Sequence, residues 1–284
     1  MARAKGDKPP QKQDWPGSEK GMTPPADHGE QSYQGSKKLL GKKALVTGGD
    51  SGIGRAIAIA FAREGADVAI AYLNEREDAH ETMRWVEETG RKGLAIQGDL
   101  GKRDQCREVI RQVVEDLGGI DILVNNAGRH CPTSSLAEIM PEQLEEIFRT
   151  NFFSVVWLTQ AALEHMPDGG AIINTGSVNA FSPNPTLIDY AATKAAIHNF
   201  TKALAPQVAP RGIRVNCVAP GPVWTPLIVS TMSEETIKDF GSKSVWKRPA
   251  QPAEIAPSYV FLASSDSRYY TGEILAPTGG ETTR

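Results

Sequence analysis

From Lys42 onward the chain alternates two kinds of apolar pattern. Short, nearly continuous apolar runs rich in Val, Ile and Ala fall at 44–47, 67–72, 93–97, 121–125, 171–177, 213–219 and 273–276. Longer stretches with apolar positions at helical spacing separate them, at 53–63, 75–89, 102–117, 141–166, 190–208 and 252–264. Short runs without alternation suit strands buried on both faces, and intervening helices supply the crossovers that parallel strands need. The pattern predicts one α/β domain: a doubly wound, seven-stranded parallel sheet with helices on both faces and right-handed connections.

Two regions depart from the alternation. Residues 1–38 are rich in Lys, Gln, Pro and Gly, with Trp15 and Tyr33 as their only aromatic residues, so they cannot form a core of their own. They read either as a disordered tail or as an extended arm lying over the domain (39–284) or a neighbouring subunit, with Trp15 and Tyr33 as anchors. Residues 222–246 contain Pro, Trp and Met with weak periodicity and predict a mobile lid over a substrate.

Composition narrows the class. The 284 residues carry a net charge of −3, and the longest basic cluster lies in the N-terminal arm, which argues against nucleic acid or a membrane surface as partner and for a small molecule. Cys106, Cys131 and Cys217 are odd in number and widely spaced, which predicts reduced thiols in a cytoplasmic protein and no metal site. No apolar leader and no window of membrane-span length is present.

In a doubly wound sheet the ligand lies beyond the carboxyl ends of the strands, so the residues just after each run carry the chemistry. After the first run comes Thr47-Gly48-Gly49-Asp50-Ser51-Gly52-Ile53-Gly54, a tight turn into a helix. Glycines leave its N–H groups uncovered and the helix dipole favours an anion, which predicts a phosphate cradle; an ordinary left-handed connection is the alternative. The second run ends at Tyr72, followed by Leu73, Asn74, Glu75 and Arg76. A carboxylate at that end would favour NAD and a nearby base NADP. With no carboxylate at Tyr72 and Arg76 within reach, the reading is NADP with NAD as the alternative, although Asp50, Glu75 and Glu77 oppose a phosphate. Asp99-Leu100 after the third run suits the adenine amino group, or caps the helix near Lys102. Asn125-Asn126-Ala127-Gly128 after the fourth lets a flat cofactor approach the backbone while the Asn side chains tie loops together.

On the helix predicted at 141–166, Leu144, Ile147, Phe148, Val155 and Leu158 form a buried stripe that also carries Asn151, whose amide must find a partner. Ser177 ends the fifth run. Tyr190 and Lys194 follow at i, i+4 spacing, on one helix face. A neighbouring cation favours the phenolate, so Tyr190 can exchange a proton with a substrate oxygen that the Ser177 hydroxyl holds.

In this order the glycine turn, Asn125-Asn126-Ala127-Gly128, Asn151, Ser177, Tyr190-x-x-x-Lys194 and Pro220-Gly221 resemble the short-chain dehydrogenase/reductase family over about residues 42–280. The resemblance implies a Rossmann fold with Tyr190 as catalytic acid/base, Ser177 orienting the substrate, and Lys194 binding the nicotinamide ribose and lowering the Tyr190 pKa. Asn151 then holds a water of a proton relay, and the Val223 backbone and Thr225 hydroxyl meet the carboxamide. Arg129, His130, Asn179 and Trp224 lie beside this chemistry as candidates for substrate contact, although a lone His130 reads more readily as a surface residue and the two lid tryptophans also read as core of the lid itself. Alanines 191, 192, 195 and 196 offer a small face for helix packing, and the family implies a homotetramer built as a dimer of dimers. The arm, the Gly48-Gly49-Asp50-Ser51 turn and Pro277-Thr278-Gly279-Gly280 are similar to the bacterial branch of NADP-dependent aldehyde reductases and of glucose and ribitol dehydrogenase homologues. The expected activity is hydride transfer between NADP(H) and an aldehyde, ketone or alcohol. An NAD-linked sugar or polyol dehydrogenase and a non-catalytic cofactor-binding sensor are the alternatives.

Overall fold

Seven parallel strands run through the middle of the computed structural model, which describes residues 8–280. They are β1 (Lys43–Thr47), β2 (Asp67–Tyr72), β3 (Gly93–Gln97), β4 (Ile122–Asn125), β5 (Ala171–Thr175), β6 (Arg214–Val218) and β7 (Ile274–Leu275). Their order across the sheet is β3-β2-β1-β4-β5-β6-β7. The central strands bury every residue after the first, as expected for runs with apolar neighbours on both faces. One face is covered by α1 (Gly52–Arg63), α2 (Arg76–Glu87) and α9 (Pro252–Ala263), the other by α3 (Arg103–Leu117), α5 (Ser154–Leu163) and α6 (Ile188–Val208). Chain order reverses between β1 and β4, which opens a crevice at their carboxyl ends.

Alanines and glycines along α1 let it pack closely on α9, and every residue from Gly54 to Ala62 is buried. The helix stops at Gly65, whose φ of +97° turns the chain back while its N–H bonds the Ala62 carbonyl at 2.9 Å.

The helix expected at 141–166 is not continuous. It consists of α4 (Pro141–Phe148), a π-helical turn at Arg149–Phe153 and α5, which ends at Leu163. The extra residue of a π turn rotates the helix on one side of it by about 100° against the helix on the other. Ile147, Val155 and Leu158 of the predicted stripe are buried, whereas Leu144, on α4 with Ile147 and ahead of the turn, is 42 % exposed.

The arm meets the stretch predicted as a lid, residues 222–246. The lid contains α7 (Pro226–Thr231) and α8 (Glu234–Asp239), and its small core joins Trp224, Ile228, Val229, Met232 and Ile237 to Leu187 and to Met22 of the arm. Gln13 N donates to the Val229 carbonyl at 3.0 Å, and Trp224 Nε1 to the Pro24 carbonyl at 2.9 Å. Farther along, Tyr33 donates its hydroxyl to Glu64 at 2.7 Å, and the Arg63 guanidinium binds the carbonyls of Gly29, Glu30 and Tyr33. Among the described residues no helix is long and apolar enough to cross a membrane.

Candidate active site

At the switch point the ends of β1 and β4 are stitched together. The Thr47 hydroxyl accepts from the N–H groups of Asn126 (2.9 Å) and Ala127 (3.0 Å), and Asn126 Nδ2 donates to the carbonyls of Thr47 (3.0 Å) and Gly48 (3.2 Å). Gly48 has a φ of +61°, and a Cβ there would come within 3.1 Å of the Ala127 Cα, so only glycine lets the two loops approach this closely. Gly48, Asp50, Ser51, Gly52 and Ile53 line a cleft of about 1350 Å³. Gly54 does not; it lies behind the turn, where a Cβ would stand 1.9 Å from the Gly48 carbonyl oxygen. Ser51, the N-cap of α1, makes no side-chain cap bond. The Gly52 N–H is instead taken at 2.6 Å by the carboxylate of Glu19, from the arm. No local pattern in the sequence signals that contact.

Toward the β2–β3 edge the cleft is lined by Tyr72, Leu73, Glu75, Asp99 and Leu100, while Asn74 is not part of the wall. Asp99 accepts from Gly101 N at 3.0 Å and pairs with Lys102 Nζ at 3.1 Å. The N-cap of α3 is Lys102, so Asp99 fastens the loop before the helix rather than the helix itself. Asp50 is buried, and burial together with the nearby Glu75 and Asp78 carboxylates pushes it up to about 7. Arg55 is engaged by Asp78 at 3.2 Å and by the Asp50 carbonyl at 2.9 Å.

At the other end the cleft reaches Ser177, Asn179, Tyr190, Lys194 and His130. Ser177 follows β5, and its hydroxyl accepts from Asn179 N at 3.1 Å. Tyr190 and Lys194 face the same space from α6, with Nζ 5.5 Å from the phenol ring centroid. Lys194 is buried and donates to the Thr175 carbonyl at 2.7 Å; burial draws its pKa down to about 8. The Tyr190 phenol is shifted upward, opposite to the expected lowering, because burial outweighs the hydrogen bond with Ser177. The resting residue is thus held as the acid.

Three placements revise the sequence reading. His130 is not a surface residue: it is 4 % exposed and stands edge-on to Tyr190 with ring centroids 5.3 Å apart. Its Nδ1 has no hydrogen-bond partner among the described residues, and burial, aided by Lys194, takes it down to about 4, so it is neutral. Trp224 does not line the cleft: it is 1 % exposed within the core of residues 222–246, whereas its neighbours Val223 and Thr225 line the cleft with Pro220 and Gly221. Asn151 sits in the π turn and grips Arg129, accepting from its N–H at 2.8 Å and donating to its carbonyl at 2.9 Å; its second donor reaches Thr193 Oγ1 at 3.1 Å. Both amide hydrogens are used there, so the side chain joins the β4 loop to α6.

Beneath these groups runs a buried polar layer that the sequence reading missed. Asn125 Nδ2 donates to Asn174 Oδ1 at 2.9 Å, and Asn174 Nδ2 to Thr201 Oγ1 at 3.0 Å. These bonds tie β4, β5 and α6 together, while Asn125 Oδ1 is buried without a hydrogen-bond partner among the described residues.

The geometry fits a dinucleotide. One continuous cleft joins the N-terminus of α1, capped at Gly52 by Glu19, and the left-handed Gly48 to a hydroxyl, a phenol and an ammonium. A family model described as Enoyl-(Acyl carrier protein) reductase matches residues 48–282. The chain is 50 % identical over 282 residues to glucose and ribitol dehydrogenase of Daucus carota, a match covering 97 % of this chain, and so most of the arm, and 97 % of that protein. It is 50 % identical over 272 residues to NADPH-dependent aldehyde reductase 1, chloroplastic, of Arabidopsis thaliana, covering 93 % and 94 % of the two chains. Among solved structures, a short-chain dehydrogenase from Burkholderia cenocepacia J2315 in complex with NADP superposes with a TM-score of 0.81 at 36 % identity, covering 86 % of this chain and 98 % of that one.

Proposed function

The chain belongs to the short-chain dehydrogenase/reductase family, and from that premise we propose that it transfers a hydride between NADP(H) and an aldehyde or ketone, or the corresponding alcohol. The observation that carries this reading is the meeting of Ser177, Tyr190 and Lys194 at one end of the cleft that begins at the glycine turn. When bound, NADP(H) supplies or accepts the hydride. The N-terminus of α1 and the turn at Gly48–Ile53 would hold its phosphates, and Gly128, Val223 and Thr225 its nicotinamide end. Ser177 donates its hydroxyl hydrogen to the carbonyl oxygen and fixes it beside Tyr190. Tyr190 gives that oxygen a proton during reduction and takes one back during oxidation. Lys194, anchored on the Thr175 carbonyl, places a positive charge beside the phenol and stabilises the phenolate left after proton transfer. Asn151 keeps Arg129 and Gly128 in place at the floor of this space.

A second reading, an NAD-linked sugar or polyol dehydrogenase, is favoured by Asp50 and Glu75, which face the β2 end of the cleft and suit a ribose diol better than a phosphate. Binding of NADPH and of NADH to the purified chain, followed by nucleotide fluorescence, separates the two. Tighter NADPH binding, with oxidation of NADPH by small aldehydes, is the expected outcome; tighter NADH binding favours the second reading, and binding of neither nucleotide sinks both.

The reading extends to a cytoplasmic homotetramer, a dimer of dimers. Three free thiols support a reducing compartment, and the exposed Phe153 beside α5 and Ala192 and Ala195 on α6 offer an apolar face for a second copy.

A further inference from the structure

Four residues of the arm bring three walls of the cleft together. Trp15 lines the cleft, and the Arg129 guanidinium lies over its ring at 4.4 Å, on the loop after β4. The Pro16 carbonyl accepts from Ser230 of the lid at 3.2 Å, and Gly17 packs on Pro226, where a Cβ would come 2.9 Å from the carbonyl oxygen. Glu19 then reaches the glycine turn at Gly52 N, while its own N–H donates to Asp78 on α2 at 3.0 Å. The Glu19 carboxylate is locked in turn by His28 at 2.9 Å, which also binds Glu30 at 2.9 Å.

A segment tied to the β4 loop, the lid and the start of α1 spans the mouth of the cleft that these elements form. We propose that the arm is a strap that retains the bound dinucleotide: Trp15 closes the cleft against Arg129, and Glu19 is a positioning residue that holds the glycine turn through Gly52. The strap caps one N–H of α1 and leaves the rest of the turn to the cofactor. It has to loosen at Trp15 for the cofactor to leave. Release, rather than proton transfer, is the step it governs, and release limits turnover in many enzymes of this kind.

This inference rests on the NADP(H) reading of the cleft. Stopped-flow fluorescence of NADPH release from the full chain tests it, with Trp15→Ala and Glu19→Gln as variants. Trp15 is partly exposed, so its removal leaves the fold in place, and Glu19→Gln keeps an acceptor for Gly52 N–H while losing the charge that holds His28. Release is expected to quicken by about three- to tenfold in each, the size expected for losing a cation–π contact or a charged anchor. The KM for NADPH should rise without a fall in kcat, a split that general loosening of the fold does not give. Lys38→Ala, at the far end of the arm beside Asp266, should release NADPH as the wild type does. Release within about twofold of wild type in both test variants would overturn the strap. A wild-type chain that gives no NADPH signal sinks the cofactor reading instead, and the two failures are thereby distinct.

Discussion

The strand ends and the strap with its lid build the two sides of one cleft by opposite means. Groups that do chemistry stand beside strands whose residues are buried and which a polar layer, Asn125 to Asn174 to Thr201, ties to α6. Groups that control access stand on segments with a small core of seven buried residues, fastened by bonds such as Gln13 to Val229 and Trp224 to Pro24 that span some two hundred positions of chain. Ordering such peripheral segments costs backbone entropy, and few buried neighbours offset it. The chemical side should therefore be rigid, and the access side should open locally at a free energy well below that of global unfolding.

The largest effect belongs to the chemical side. Tyr190→Phe removes the hydroxyl that exchanges the proton and leaves the ring that packs on His130. Turnover is expected to fall by about 10²–10⁴-fold, the range of general acid catalysis, with the NADPH dissociation constant unchanged. Steady-state kinetics beside a binding titration check this; normal turnover would remove Tyr190 from its role.

Next comes a test of whether the two sides unfold apart. Truncating a buried indole costs about 3–5 kcal/mol, so Trp224→Ala strips the lid of its largest core residue and of its bond to Pro24. If the lid opens locally, limited proteolysis cuts early within 222–246 and the global urea transition moves by only part of that cost. A global loss of about 3–5 kcal/mol would show that lid and sheet unfold as one, and would break the comparison.

The same division decides what could be read from sequence. Strands and helices of the sheet were legible because burial on both faces writes a continuous apolar run, and because Tyr190 and Lys194 lie one helical turn apart. The break at Arg149–Phe153 was not, since a π turn leaves no local signal beyond an Asn at a core position. His130 gave no clue to its burial because its cover, the Tyr190 ring, comes sixty residues later. Glu19 was invisible for the same reason: its partner Gly52 belongs to another segment, and a lone Glu in a polar arm looks like any other. Trp224 stayed open between the two readings because an aromatic residue next to a cofactor segment suits a pocket wall as well as a core.

The smallest effect sets the two sides against each other along the pH axis. On the strap, burial alone would lower His28, but its hydrogen bonds to Glu19 and Glu30 hold it up at about 9 against an opposing push from Arg55. The folded chain therefore binds more protons than the unfolded one between the ordinary histidine value near 6.5 and 9. This stabilisation is complete below about 6.5 and is lost as pH rises through 9. Lys194, on the chemical side, runs the other way: burial lowers it to about 8, so between 8 and its ordinary value of 10.5 the unfolded chain binds more protons and stability rises with pH. In the wild type the two slopes oppose each other between about pH 8 and 9. His28→Asn removes one of them. That variant should lose about 2–3 kcal/mol at pH 6–7, converge on the wild type by about pH 10, and uncover the rise due to Lys194. Thermal melts of both proteins from pH 6 to 10 read the difference, and a gap that stays constant across the range would mean that His28 supports the strap by shape and not by charge.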